Sequence, residues 1–113
     1  MGSAKDGVRH WYLQRASALL LLVLTAWVVY ALIVLSDGGY DAAVAFMSKP
    51  WNTACAILFV VSGLYHAMIS VQVVIEDYIH APALELFLQF AVRALCYAGM
   101  VVGIVYLLRI AAA

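Results

Sequence analysis

Charge is what this sequence has least of: six Lys or Arg and six Asp or Glu, together 11% of 113 residues. Soluble domains carry about 25% charged residues, so a water-soluble globule is excluded. The formal net charge is zero and no basic run is present. Without clustered Lys and Arg to displace counterions from phosphates, nucleic-acid binding is excluded as well. Cysteine is equally scarce. Cys55 and Cys96 stand in apolar stretches outside any CxxC or CxxH pattern, and are read as small buried residues. No internal repeat or low-complexity tract occurs.

What is present is apolar: 68% of residues are hydrophobic and the mean hydropathy is +1.05. A helix needs about 20 apolar residues to cross a bilayer, so this length admits three spans, short connections and no separate soluble domain. The expectation is an all-α integral membrane protein, a single domain over residues 1–113, with transmembrane helices at about 16–36, 51–75 and 84–110. The first run exceeds the roughly 7–15 residues of a signal-peptide core and lacks a small-residue cleavage site. It is read as a retained span.

The connections have their own chemistry. Asp37-Gly38-Gly39 is a turn, residues 41–47 form an interfacial turn, and Lys49-Pro50-Trp51 puts a proline where a new helix lacks its first N–H. The polar stretch Glu76-Asp77-Tyr78-Ile79-His80-Ala81-Pro82 makes helices two and three antiparallel neighbours. Trp11, Tyr12, Tyr40, Trp51, Tyr78 and Tyr106 flank the spans, where amphipathic rings sit at headgroup level. Lys5, Arg9 and Arg15 precede the first span while Lys49 and Arg109 lie across the membrane, which favours a cytoplasmic N-terminus.

Within the spans two ionisable residues stand out, and such residues are functional candidates. His66 near the middle of the second span admits three readings: an interhelical hydrogen bond, a metal or haem ligand, or a proton relay. Ser62, Gly63 and Ser70 share its helical face; that small, smooth surface suits a porphyrin edge or plain helix packing. Arg93, costing about 2.5–3.5 kcal/mol in mid-span, is expected to face the bundle interior in the same membrane layer as His66. Gly99 and Gly103 form a GxxxG read as packing, as are Trp27, Tyr30 and Tyr97.

Nearer the interface, Asp77-Tyr78 is either a belt aromatic beside a helix-end carboxylate or a phenol that donates to a quinone carbonyl. Arg15, with Arg9 and His10 before it, is either a positive flank or a partner for carboxylates such as haem propionates.

Taken together, Gly7-Val8 with Arg15-Ala16-Ser17-Ala18, then Ser62 with His66-Ala67, then Asp77-Tyr78 resemble the smaller haem-containing anchor subunit of bacterial succinate dehydrogenase, complex II. The likeness covers nearly the whole chain. Its most specific feature is the eleven-residue step from His66 to Asp77, followed by Tyr78. The resemblance implies that His66 is an axial ligand of haem b, the second coming from a larger anchor subunit, so that this chain forms half of a haem-binding bundle. It further implies that Tyr78 bonds ubiquinone with Asp77 beside it, and that Arg15 lies near the propionates with Arg9 or His10. Partner flavoprotein and iron–sulfur subunits would carry FAD and the clusters, on the bacterial inner (cytoplasmic) membrane. The sequence departs from one member of the family at Arg9-His10, where that member has His then Asp, and at Arg93, where it has an apolar residue.

Two rivals remain. A small multidrug transporter wants four spans and an acidic residue inside one, but Glu76, Asp77 and Glu85 sit at the connection. A structural anchor without haem would use His66 for packing.

Overall fold

The computed structural model describes residues Gly2–Ala113, with side chains from Asp6 onward; the Lys5 side chain, counted above toward orientation, lies outside the described residues. Four helices follow one another: α1 Gly2–Leu35, α2 Tyr40–Met47, α3 Pro50–Tyr78 and α4 Pro82–Ala112. Three of them, α1, α3 and α4, are long and apolar enough to cross a membrane, as expected. The 29 residues of α3 extend about 44 Å, enough for the roughly 30 Å hydrocarbon core and both headgroup layers.

The helices outrun their apolar cores. Helix α1 begins well before residue 16, α3 continues through Glu76, Asp77 and Tyr78, and α4 starts at Pro82 rather than 84. Hydropathy marks only the part of a helix that lipid surrounds, whereas residues such as Gln, Arg and Glu keep the backbone ladder going into water. The polar connection thus shrinks to Ile79, His80 and Ala81. Both prolines open helices, Pro50 in α3 and Pro82 in α4, where a missing N–H costs nothing.

Residues 41–47, expected as an interfacial turn, lie within the regular helix α2. Its last carbonyls are met by the Lys49 N–H, which reaches the Phe46 carbonyl at 3.4 Å, and by side chains of the first turn of α3. Asn52 Nδ2 donates to the Phe46 carbonyl at 2.9 Å and Thr53 Oγ1 to the Met47 carbonyl, and both side chains are buried. Ahead of α2 the chain turns so tightly that a Cβ on Gly38 would sit 2.5 Å from the Ala42 Cβ. Trp27 of α1 meets Phe46 of α2, ring centroids 6.0 Å apart.

Helix α3 is the centre of the molecule, packed against both α1 and α4. The α3/α4 seam is set by glycine: a Cβ on Gly99 would lie 3.2 Å from Leu64 Cδ1, and one on Gly103 2.9 Å from Val60 Cγ1. The GxxxG is therefore a packing surface, as read. Tyr30 and Tyr97, by contrast, are about half exposed within this chain.

Valine is stiff at χ1, so Val60 cannot yield to a new Cβ as the end of Leu64 can. Gly103→Ala should lower the stability of the detergent-solubilised protein by about 1–3 kcal/mol, and Gly99→Ala by less. Thermal unfolding of the two variants checks the order, and equal midpoints would contradict this account of the seam.

Candidate functional site

The antiparallel course of α1 and α3 sets the level of every candidate residue. Ser17 Oγ lies 3.3 Å from His66 Nδ1, and one turn along, a Cβ on Gly63 would stand 3.8 Å from Leu21 Cδ1. These two contacts put the N-terminal part of α1 on the same side of the membrane as Asp77 and Tyr78. Counting at 1.5 Å per residue from Ser17, Arg15 stands about 3 Å along α1, His10 about 10 Å and Arg9 about 12 Å. Of the three, Arg15 is nearest the histidine layer. Its guanidinium lies over the Trp11 ring, 5.5 Å from the centroid.

His66 itself is half-buried between α1 and α3. Ser70 Oγ donates to the His66 carbonyl at 2.9 Å, so it serves the backbone and not the ring. Among the described residues Nε2 has no hydrogen-bond partner. The small, smooth face turns mostly inward and serves helix packing: Ser62 is buried and Gly63 faces Leu21 of α1. Its first use is to let α1 approach closely enough for Ser17 to reach the imidazole.

Asp77 and Tyr78 close the last turn of α3 instead of lying on a loop, and Tyr78 is 76% exposed. Twelve residues separate Tyr78 from His66 along one helix, about 18 Å. They belong to two places, one in mid-membrane and one at its boundary. The three-helix fold brings Ser17 to His66, but it brings none of Arg9, His10 or Arg15 into hydrogen bonding with His66, Asp77 or Tyr78 among the described residues.

Within this chain Arg93 is exposed on α4, on surface that the three helices leave uncovered. The side of α4 turned inward carries Val92, Cys96, Met100 and Gly103, and Arg93 lies off that stripe. Since Gly99 stands across from Leu64 and Gly103 from Val60, residue 97 is level with His66. Arg93 lies about 6 Å nearer the α3/α4 connection, one turn off the shared layer.

Two residues escaped the sequence reading. Ser17 was visible only as part of a motif, because no local pattern joins it to a residue 49 positions away. Gln89, a lone amide in an apolar span, donates from Nε2 to the Gln72 carbonyl at 3.3 Å and leaves Oε1 buried without a partner. Far from both places, an open cavity of about 300 Å³ is lined by Tyr40, Tyr106, Arg109, Ile110 and Ala113 at the opposite end of the bundle. Cys55 and Cys96 are free and only half-buried.

The apolar surface is mostly uncovered. At most 17% of the most apolar stretch of any span is buried within the chain, and Trp51, Tyr40, Leu86, Leu95 and Phe90 stand more than two-thirds exposed. The fold and site define a three-span helical membrane subunit that carries one mid-membrane histidine and a tyrosine at the membrane boundary.

The sequence model of the family described as succinate dehydrogenase/fumarate reductase transmembrane subunit matches residues 1–107. The chain is 37% identical over 92 residues to the succinate dehydrogenase hydrophobic membrane anchor subunit of Rickettsia bellii, covering 81% of this chain and 74% of that one. With the protein of the same name from Rickettsia conorii it shares 35% over 107 residues, 94% of this chain and 85% of the relative. The anchor subunit of Paracoccus denitrificans is 27% identical over 78 residues, 69% and 60% of the two chains. This chain belongs to the succinate dehydrogenase/fumarate reductase transmembrane subunit family. The four-span transporter reading falls with that membership.

Gly63 should behave as a spacer. An added methyl there makes only ordinary contact, so Gly63→Ala is expected to be neutral, whereas Gly63→Phe must push α1 from α3. Thermal unfolding in detergent checks this; a Phe variant as stable as the parent would show that the α1/α3 approach is not limited at this position.

Proposed function

We propose that this chain is the smaller hydrophobic anchor of a succinate:quinone oxidoreductase, and that it supplies one axial ligand to haem b and one wall of the ubiquinone-reduction site. The observation that carries the haem reading is the state of His66. Its ring lies in the apolar middle of a span, Nδ1 is engaged by Ser17, and Nε2 has no partner among the described residues, so the side chain fits a ligand better than a packing histidine. A neutral imidazole with one nitrogen tied to the protein is the usual form of a metal-bound histidine. The second axial ligand would come from the larger anchor subunit, docked on the uncovered apolar surface. Bound there, haem b would supply a one-electron redox centre inside the membrane.

Arg15 would be the residue to meet a propionate: it stands close to the depth of the histidine, about 3 Å in axial rise from Ser17, and a guanidinium binds carboxylate in a bidentate manner. His10 and Arg9, farther along, stand nearer the boundary on the same membrane side. Ubiquinone reduction takes up two electrons and two protons. The electrons would reach the site from succinate through the FAD of the flavoprotein subunit and the clusters of the iron–sulfur subunit. The protons can be drawn from water at the boundary, where Tyr78 and Asp77 stand exposed. Tyr78 would donate its O–H to a quinone carbonyl, and the Asp77 carboxylate would tune the local field or pass a proton. With this end of the bundle facing the cytoplasm, the N-terminus is cytoplasmic and the soluble subunits dock there on the bacterial inner membrane.

Replacing His66 by Leu in the assembled complex should change the reduced haem spectrum or lower haem retention. An unaltered spectrum with full haem content would reject the ligand role and leave a structural anchor. Replacing Tyr78 by Phe keeps the ring and removes the donor, a loss of about 0.5–1.5 kcal/mol or more. Quinone reductase kcat/KM should fall about 2- to 12-fold or further, while succinate oxidation with an artificial acceptor persists. Normal quinone reduction by the Phe variant would reduce Tyr78 to an interfacial aromatic.

A further inference from the structure

We propose that Ser17 is a positioning residue: its oxygen accepts the Nδ1–H of His66, which fixes the imidazole tautomer and leaves the Nε2 lone pair for haem iron. The proposal rests on the haem reading above and adds what selects the ligating atom.

A serine hydroxyl has one proton to donate and two lone pairs with which to accept. Ser17 Oγ stands 2.9 Å from the Gln14 carbonyl, a distance suited to donation within α1, and 3.3 Å from His66 Nδ1. With its only proton directed at Gln14, the hydroxyl can meet Nδ1 solely as an acceptor. The proton between them then belongs to the imidazole. A neutral imidazole carries a single N–H, and the membrane interior disfavours the doubly protonated cation. Nε2 is therefore unprotonated and can bind a metal without first losing a proton. In the opposite arrangement Ser17 would donate to Nδ1, Nε2 would hold the hydrogen, and the free nitrogen would be the wrong one.

The surroundings make the contact durable. Leu21 against Gly63 keeps α1 close one turn away, and Ser70 bonds the His66 backbone without competing for the ring. A hydrogen bond from the remote N–H also makes the ligand more basic, which stabilises ferric over ferrous haem. Ser17 thus acts on the potential of the haem as well as on the orientation of its ligand.

The test uses the complete complex carrying Ser17→Ala, Ser17→Cys or Ser17→Thr, each reconstituted with its haem. The Ala and Cys variants should keep haem while its midpoint potential moves upward and the low-spin electron paramagnetic resonance signal shifts; Thr, which restores an acceptor oxygen, should return both to the wild-type positions. Wild-type potential and signal in the Ala or Cys variant would overturn the proposal. So would a Thr variant shifted as far as Ala, because the effect would then be one of packing, and so would failure of both Ala and Cys variants to assemble when Thr does. Failure of the underlying reading looks different: the wild-type complex would lack a low-spin b-type haem, or His66→Leu would leave its spectrum unchanged.

Discussion

Inside hydrocarbon no water is available to a backbone N–H or C=O, so every span must close its own hydrogen bonds along its length. This constraint accounts for the three long helices and for what happens at their ends. Prolines occur only at the first position of α3 and α4, where no bond is lost. At the end of the short helix α2, the buried Asn52 and Thr53 side chains add bonds to the Phe46 and Met47 carbonyls. The same constraint makes Gln89 Oε1, buried without a partner, unusual in this chain.

Helices that have satisfied their backbones still need a reason to associate, since lipid is as apolar as leucine. Here close approach supplies it. Gly99 and Gly103 admit Leu64 and Val60 from α3, and Gly63 admits Leu21 from α1. Helix α3 is thereby held on two sides, and His66 is carried with it at a fixed depth and rotation. The packing and the chemistry are linked at this point, because the seam that admits Leu21 is the one that delivers Ser17 to the imidazole. Covering so little of its own apolar surface, the chain is suited to association with other membrane helices.

The site divides between mid-membrane and boundary for a related reason. An imidazole in hydrocarbon needs a hydrogen-bond partner, and Ser17 Oγ stands 3.3 Å from His66 Nδ1. A phenol and a carboxylate are best solvated where water reaches them, and the last turn of α3 leaves Tyr78 and Asp77 exposed. One helix serves both needs, with about 18 Å between them.

The number of spans, the all-helical class, the helix-opening prolines and the identity of His66, Tyr78 and Asp77 as candidates were determined by the sequence alone, since hydropathy and intramembrane polarity are local properties. Helix ends were not, because a helix continues through polar residues that hydropathy counts as loop, and so Glu76 to Tyr78 belong to α3. Nor could the sequence decide which way a side chain faces. Arg93 falls off the side of α4 turned toward α3, and the small face beside His66 seats α1. Ser17 shows why: its partner lies 49 residues away, and only the antiparallel packing of α1 on α3 puts an oxygen beside Nδ1. The sequence determined which residues have chemistry to offer, while tertiary structure decided which atoms meet, because rotation and register between helices depend on contacts that no local pattern contains.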